Sequence, residues 1–308
     1  HFNPFLGPRE QVPTTTVNKL LAYVVMQWHI GVSVFFVLSG FLIAARYAER
    51  IQPTVKWAKQ YMFNRFARIY PVYFLITTIT VVAMLLGNTH HYYEWSAQQS
   101  RIDKLMTLLI SYSLTKGFFH TFNVIFVPTA WSLTVEECFY ICAPIILLIV
   151  KNKIPWLFPL SAFIVSAGVV ITLLSTKMHL YAGFMRPLYF MLYFTFFGRC
   201  AEFMIGMGLA LWLIKNRFRP ARKGTTALGT ALILLCMAVM VLLSWNYQST
   251  PEWPMPFLVV LVNNLYCHLE LLYFAMALPA NIPLQEDFLA LAHSTCLGKA
   301  LMCFTWFT

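Results

Sequence analysis

Two adjacent glutamates enter an apolar run. The stretch "PTAWSLTVEECFYICAPII", starting at Pro128, sets Glu136 and Glu137 beside Trp131, Ser132 and Thr134 before the chain turns hydrophobic. A carboxylate in apolar surroundings is costly unless neutralised or partnered, so it marks proton or charge chemistry by default. The structural alternative is a helix start, with Ser132 or Thr134 as the cap and a glutamate at the positive end of the helix. On either reading one of the two can simply face water, and Glu136 is the stronger functional candidate. A second island, "YMFNRFARIYPVYF", carries Arg65 and Arg68 three residues apart on one helix face. Forked guanidinium donors at that spacing suit a grip on phosphate. A plain positive anchor would need the charge but not the spacing. The third island, "GVSVFFVLSGFLIAA" from Gly31, places Ser39 and Gly40 inside an apolar segment. There a serine can bond the carbonyl a turn earlier and a glycine can let helices touch, or the small pair leaves room for a substrate or acyl chain.

Other reactive side chains say less. His268 sits beside Glu270 in "NNLYCHLELL", as readily a local hydrogen-bond network as a site, and the remaining histidines suit interfacial or packing roles. Cys138 and Cys142 lie one helical turn apart within an apolar run, where packing is expected rather than metal, and no metal site is expected elsewhere.

These residues have to be held by membrane helices. The chain of 308 residues is 59% hydrophobic and only 11% charged, against about 25% charge in a soluble domain. Its net charge of +11 comes from basic residues in short loops between apolar runs. That is the pattern of topology charges at a membrane and not of a nucleic-acid surface. No linker and no internal repeat divides the sequence, so residues 1–308 read as one integral membrane domain. Apolar segments run over residues 30–45, 69–87, 131–150, 155–175, 187–214, 226–245 and 257–280. Helices are the default, because open sheet edges are not left in lipid. The fold expected is therefore all-α, a polytopic transmembrane helix bundle. Pro144, inside its segment, is expected to kink or soften it.

Loop charge gives the orientation. Residues 46–68 carry Arg46, Arg50, Lys56, Lys59, Arg65 and Arg68 against Glu49, and "KNRFRPARK" at 215–223 adds five positive charges. In contrast, "GNTHHYYEWSAQQS" at 87–100 and "NYQSTPEWPMP" at 246–256 hold no lysine or arginine. The first pair belongs in the cytoplasm and the second outside. This alternation requires residues 105–130 to return without a full crossing, as a re-entrant or interfacial element. Loop 176–186, with Lys177, His179 and Arg186, fits least well.

In order and spacing, "GVSVFFVLSGFLI", "NRFARIYPVY" and "WSLTVEECFY" resemble the signature blocks of the membrane-bound acyltransferase family 3. "FGRCAEFMIGMGLA", which brings Glu202 and close glycines into an apolar span, is similar to a later block, and "LALAHSTCLGKAL" from Leu289 to the start of the last one. The resemblance implies a multi-helix membrane enzyme moving an acyl group, acetyl being the one expected, from acyl-coenzyme A to a hydroxyl of a carbohydrate or glycolipid. Acyl-coenzyme A would be a co-substrate, with no cofactor bound permanently. The implied partners are membrane lipids and the acceptor, with no nucleic acid, and the implied location is the cell (plasma or inner) membrane. By position His1 matches the family's essential histidine, and the first and last helices of the full fold are expected to be missing from this stretch. Arg65 and Arg68 would hold the coenzyme phosphates on the cytoplasmic side, and His1 would be the general base. Glu136 would orient that histidine, and Trp131 and Ser132 would line the acyl site beside the small-residue helix of Ser39. The departure is "GKALMCF", where relatives carry Ser-Tyr after the lysine. A proton-coupled transporter and a catalytically inactive relative are the competing readings.

Overall fold

The computed structural model describes residues 30–86, 100–123, 125–150 and 153–215. His1, the expected spans at 226–245 and 257–280, His268 and the block from Leu289 lie outside the described residues. Within them every regular element is helical: α1 (Ile30–Tyr47), α2 (Val55–Leu85), α3 (Arg101–Tyr112), α4 (Trp131–Val150), α5 (Leu157–Lys177), α6 (Leu188–Phe194) and α7 (Phe196–Lys215). Residues 55–85, 128–150, 154–177 and 188–215 are long and apolar enough to cross a membrane, and the protein is a membrane helix bundle. The chain divides into two compact units, residues 47–201 and a second unit that includes residues 30–46 and 202–215.

In the unit of residues 47–201, α2 begins where Thr54 accepts the Trp57 amide at 3.3 Å. Its 31 residues give about 46 Å of helix, more than the roughly 30 Å hydrocarbon core requires. The basic first turns therefore extend the span that the apolar run alone places at 69–87. Ser100 caps α3 by accepting the Asp103 amide at 3.2 Å. With 12 residues, or about 18 Å, α3 is too short to cross, as the charge alternation requires. It ends against α2. Tyr70 Oη donates to the Tyr112 carbonyl at 3.1 Å, and Tyr73 Oη donates to the Ser111 carbonyl. The last carbonyls of a helix lack partners within it, and α2 supplies the donors.

The chain then makes an excursion over residues 113–130. Leu114 and Ala130 both pack on Tyr73, whereas Phe126 packs further along α2 on Val81 and Met84. Loop 178–187 pairs with this excursion through Met185 N to the Phe118 carbonyl, 2.8 Å, and Thr121 N to the Ala182 carbonyl, 3.3 Å. Tyr181 also donates to Asp103 of α3. Pro71 and Pro144 sit inside α2 and α4 without ending either helix. An apolar setting offers the backbone no competing partner, so the helix persists across a missing bond.

The segment that the sequence presents as one run, 187–214, is broken. Thr195 adopts an extended conformation (φ −116°, ψ 159°) between α6 and α7. Its hydroxyl donates to the Met191 carbonyl at 2.7 Å, and its own carbonyl accepts the Arg199 amide at 3.1 Å. A β-carbon on Gly198 would lie 2.2 Å from the Leu192 carbonyl oxygen, so only glycine lets the new helix start so close to the old one.

In the other unit, α1 packs against the later part of α7. A β-carbon on Gly40 would sit 2.2 Å from the Phe203 oxygen, and one on Gly206 would sit 2.0 Å from the Val37 oxygen. Phe36 stacks on Phe203 with ring centroids 4.8 Å apart. Gly40 is thus explained as a point of helix contact, with Ser39 buried next to it.

Candidate functional site

The site grows from helical spacing. Trp57, Tyr61 and Arg65 succeed one another at four-residue intervals on α2, and Glu136 and Tyr140 do so on α4, so each set lines one face. Trp57 stacks on Tyr61 at 5.3 Å, and Tyr47 at the end of α1 meets Tyr61 edge-on at 5.2 Å. Arg65 enters this cluster. Its Nη2 donates to Tyr47 Oη at 3.1 Å. The guanidinium carbon lies 5.3 Å from the Tyr47 ring centre, 5.8 Å from that of Tyr61 and 5.5 Å from that of Tyr140. Three π faces and a hydroxyl take the place of water around the cation. Tyr140 reaches the other way as well, its hydroxyl donating to Glu136 Oε1. Tyr140 therefore joins Arg65 to Glu136, two residues singled out independently in the sequence.

Glu136 is only 3% exposed. Glu137 is buried too, which overturns the expectation that one of the pair faces water. Its backbone lies about 100° round the helix from that of Glu136, but α4 is covered on that side as well. Three buried polar atoms here have no hydrogen-bond partner among the described residues: Glu137 Oε1, Tyr61 Oη and Arg65 Nε. Two donors and an acceptor are thus left for a ligand or water.

The two arginines part company. Arg65 is half-buried, while Arg68 is exposed, although three residues separate them. Tyr140 lies ten residues before the end of α4 at Val150, about 15 Å along the helix. Arg65 accordingly stands beside the middle of α4 while lying only ten residues into α2, ahead of the apolar run that begins at residue 69.

Trp131 meets Phe194 edge-on at 5.0 Å. The Ser132 hydroxyl donates to the Thr129 carbonyl at 2.8 Å, and Thr134 Oγ1 accepts the Gly117 amide at 3.1 Å. These first-turn hydroxyls of α4 tie down neighbouring backbone. Ser39 belongs to the other unit, and His1 lies outside the described residues. Tyr61 and Tyr140 stand four residues from Arg65 and Glu136, a spacing present in the sequence, whereas Tyr47 is eighteen residues from Arg65 and only the fold brings it there.

Outside the spans, the Tyr181 hydroxyl holds the Asp103 carboxyl below its usual range, with Ser100 adding to the effect, and Tyr181 is itself pushed up to about 12. Burial brings Lys116 down to about 7.

Among known proteins, the acyltransferase family 3 profile, described as an acyltransferase domain, matches residues 2–283. A protein of Haemophilus influenzae named only as uncharacterized is 27% identical over 224 residues, covering 71% of this chain and 89% of that relative. No solved structure matches the chain.

Proposed function

This chain belongs to the acyltransferase family 3, and from that premise we propose that it moves an acetyl group from acetyl-coenzyme A to a hydroxyl of a carbohydrate or glycolipid in the cell membrane. The observation that carries the reading is the Arg65–Tyr140–Glu136 chain, which joins an anion-binding cation to a buried carboxylate through one side chain. Arg65, with its buried Nε lacking a partner among the described residues, and the exposed Arg68 supply charge for the coenzyme phosphates and the thioester end. His1 is the general base of this proposal. It takes the proton as the acceptor oxygen attacks the thioester carbonyl; the C–O bond forms, the C–S bond breaks, and the thiolate leaves with that proton. Glu136, held by Tyr140, favours the positively charged base at that moment. Trp131 and Ser132 sit at the start of the same helix and would border the acyl group.

The test is to incubate membranes holding the protein with carbon-labelled acetyl-coenzyme A and to follow label in envelope glycans and glycolipids by mass spectrometry. Label in a carbohydrate hydroxyl that vanishes with Glu136→Gln is the expected result. Solute flux without coenzyme turnover would replace the reading with proton-coupled transport.

A further inference from the structure

Lys116 lies in the excursion before α4 and is 1% exposed, among the most buried large side chains of the described residues. Lysine is almost never fully buried without a partner. Its Nζ donates to the Val127 carbonyl at 2.6 Å and to the Ile125 carbonyl. The Val127 carbonyl is the one that also accepts the Ala130 amide, at 3.1 Å, and so opens the turn of residues 128–130 that runs straight into α4. The next residue, Gly117, donates its amide to Thr134 Oγ1 on α4 at 3.1 Å. Two successive residues thus tether the start of α4, Lys116 at the carbonyl that opens the turn leading into it and Gly117 at Thr134 in its first turn. Glu136 follows Thr134 by two residues.

We infer that Lys116 is a positioning residue: by clasping residues 125–127 it fixes the start of α4, and through it the placement of Trp131, Ser132 and Glu136. The inference rests on the functional reading above for its effect on turnover, but not for the clasp itself. A lysine amine suits the task because, charged or neutral, it carries at least two N–H donors at the end of a flexible stem, enough for two carbonyls that follow no regular ladder. Without it both carbonyls would be left buried without that donor, and the turn would lose its tether. The Gly117 amide on Thr134 and the Ser132 hydroxyl on the Thr129 carbonyl would remain, but neither reaches residues 125–127.

The experiment uses the full chain purified in detergent, with Lys116→Met and Lys116→Arg. Hydrogen-exchange mass spectrometry reads peptides over 113–134, with α5 as an internal reference. Lys116→Met is expected to exchange about ten- to a hundredfold faster over 113–134 and no faster in α5. Acetyl transfer should fall by a similar factor with coenzyme affinity unchanged, since the arginines stand on α2. Lys116→Arg should restore both. A lysine that only stabilises the bundle would instead loosen α5 and weaken coenzyme binding too. Unchanged exchange over 113–134 in Lys116→Met overturns the clasp, and faster exchange with full turnover overturns the positioning role. If the unaltered protein transfers no acetyl group, the functional reading fails alone, and exchange still decides the clasp.

Discussion

Tyr140 performs two separable tasks, and separating them tests the site. Its hydroxyl donates to Glu136, and its ring stands 5.5 Å from the Arg65 guanidinium. Tyr140→Phe deletes the first contact and keeps the second. A hydrogen bond to a charged acceptor contributes about 1.5–3 kcal/mol, so if Glu136 must be held for turnover the rate should fall roughly ten- to a hundredfold. Coenzyme affinity should stay within about twofold of the unaltered protein, because the ring still faces the cation. Tyr140→Leu removes both contacts. A cation–π contact is worth about 0.5–2 kcal/mol, which adds a roughly two- to thirtyfold loss of coenzyme affinity to the loss of rate. Calorimetric titration with coenzyme A and single-turnover transfer of labelled acetyl groups give the two numbers separately. Tyr140→Phe with full turnover would refute the coupling of Tyr140 to Glu136. If Tyr140→Phe weakened coenzyme binding as much as Tyr140→Leu, the assignment of the ring to the cation would be wrong.

Further outcomes follow from the same contacts. Glu136→Gln should lower turnover by about 10²–10⁴-fold, and Glu137→Gln by less than about tenfold, since the Tyr140 hydroxyl reaches Glu136; equal losses in the transfer assay would reject the distinction. Arg65→Ala should reduce thermal stability as well as coenzyme affinity, because three tyrosines pack on it, whereas the exposed Arg68 should affect affinity alone; melting curves beside titrations test this. Gly206→Ala forces a β-carbon to 2.0 Å from the Val37 oxygen and should cost about 1–3 kcal/mol or more, visible as a melting point several degrees lower. Lys116, at about 7 in the folded protein against roughly 10.4 unfolded, holds fewer protons folded than unfolded across that window. Stability should therefore rise with pH from about 7 to 10, by at most about 1.4 kcal/mol per unit, and be flat below 7. Lys116→Met should remove that slope in pH-dependent denaturation.

Much of the bundle is readable in the sequence because hydropathy and loop charge are one-dimensional signals. The span at 131–150 and the non-crossing element before it need only composition and order, whereas Gly40 stays open between helix contact and substrate room until Phe203 is seen against it. The break at Thr195 does not show there, since threonine between phenylalanines is apolar enough to continue the run; close contact at Gly198 decides it. Arg65 and Arg68 are alike in type and neighbours in sequence, so no pattern separates the caged one from the exposed one. That takes the arrival of Tyr47 from α1 and Tyr140 from α4. Lys116 is invisible for a similar reason. A single lysine in "LTKGFF" reads as a loop charge until the excursion folds back and offers it two carbonyls.

The distribution of irregular backbone bears on how two substrates meet. The non-helical 113–130 excursion that leads into α4 packs on α2 near Met84 and near Tyr73, and the 178–187 loop pairs with that excursion. Non-helical backbone at membrane depth is stable only when buried in protein or lining water. Beyond Tyr140, in contrast, α4 continues unbroken and exposes Ile141, Ile145, Leu148 and Ile149, a face suited to lipid. Glu136 lies on the irregular side of Tyr140 and Val150 on the regular side, with Arg65 beside Tyr140 at the boundary. On the orientation that the loop charges give, the irregular side faces outward. On the function proposed above, a polar acceptor would approach Glu136 from that side, and the coenzyme would come from the opposite side of Arg65, that of Val55 at the start of α2. The acyl group would cross the boundary at Tyr140. A bulky substitution there that spares coenzyme binding but blocks only large acceptors would be the signature of that meeting point, and equal loss with large and small acceptors would place the crossing elsewhere.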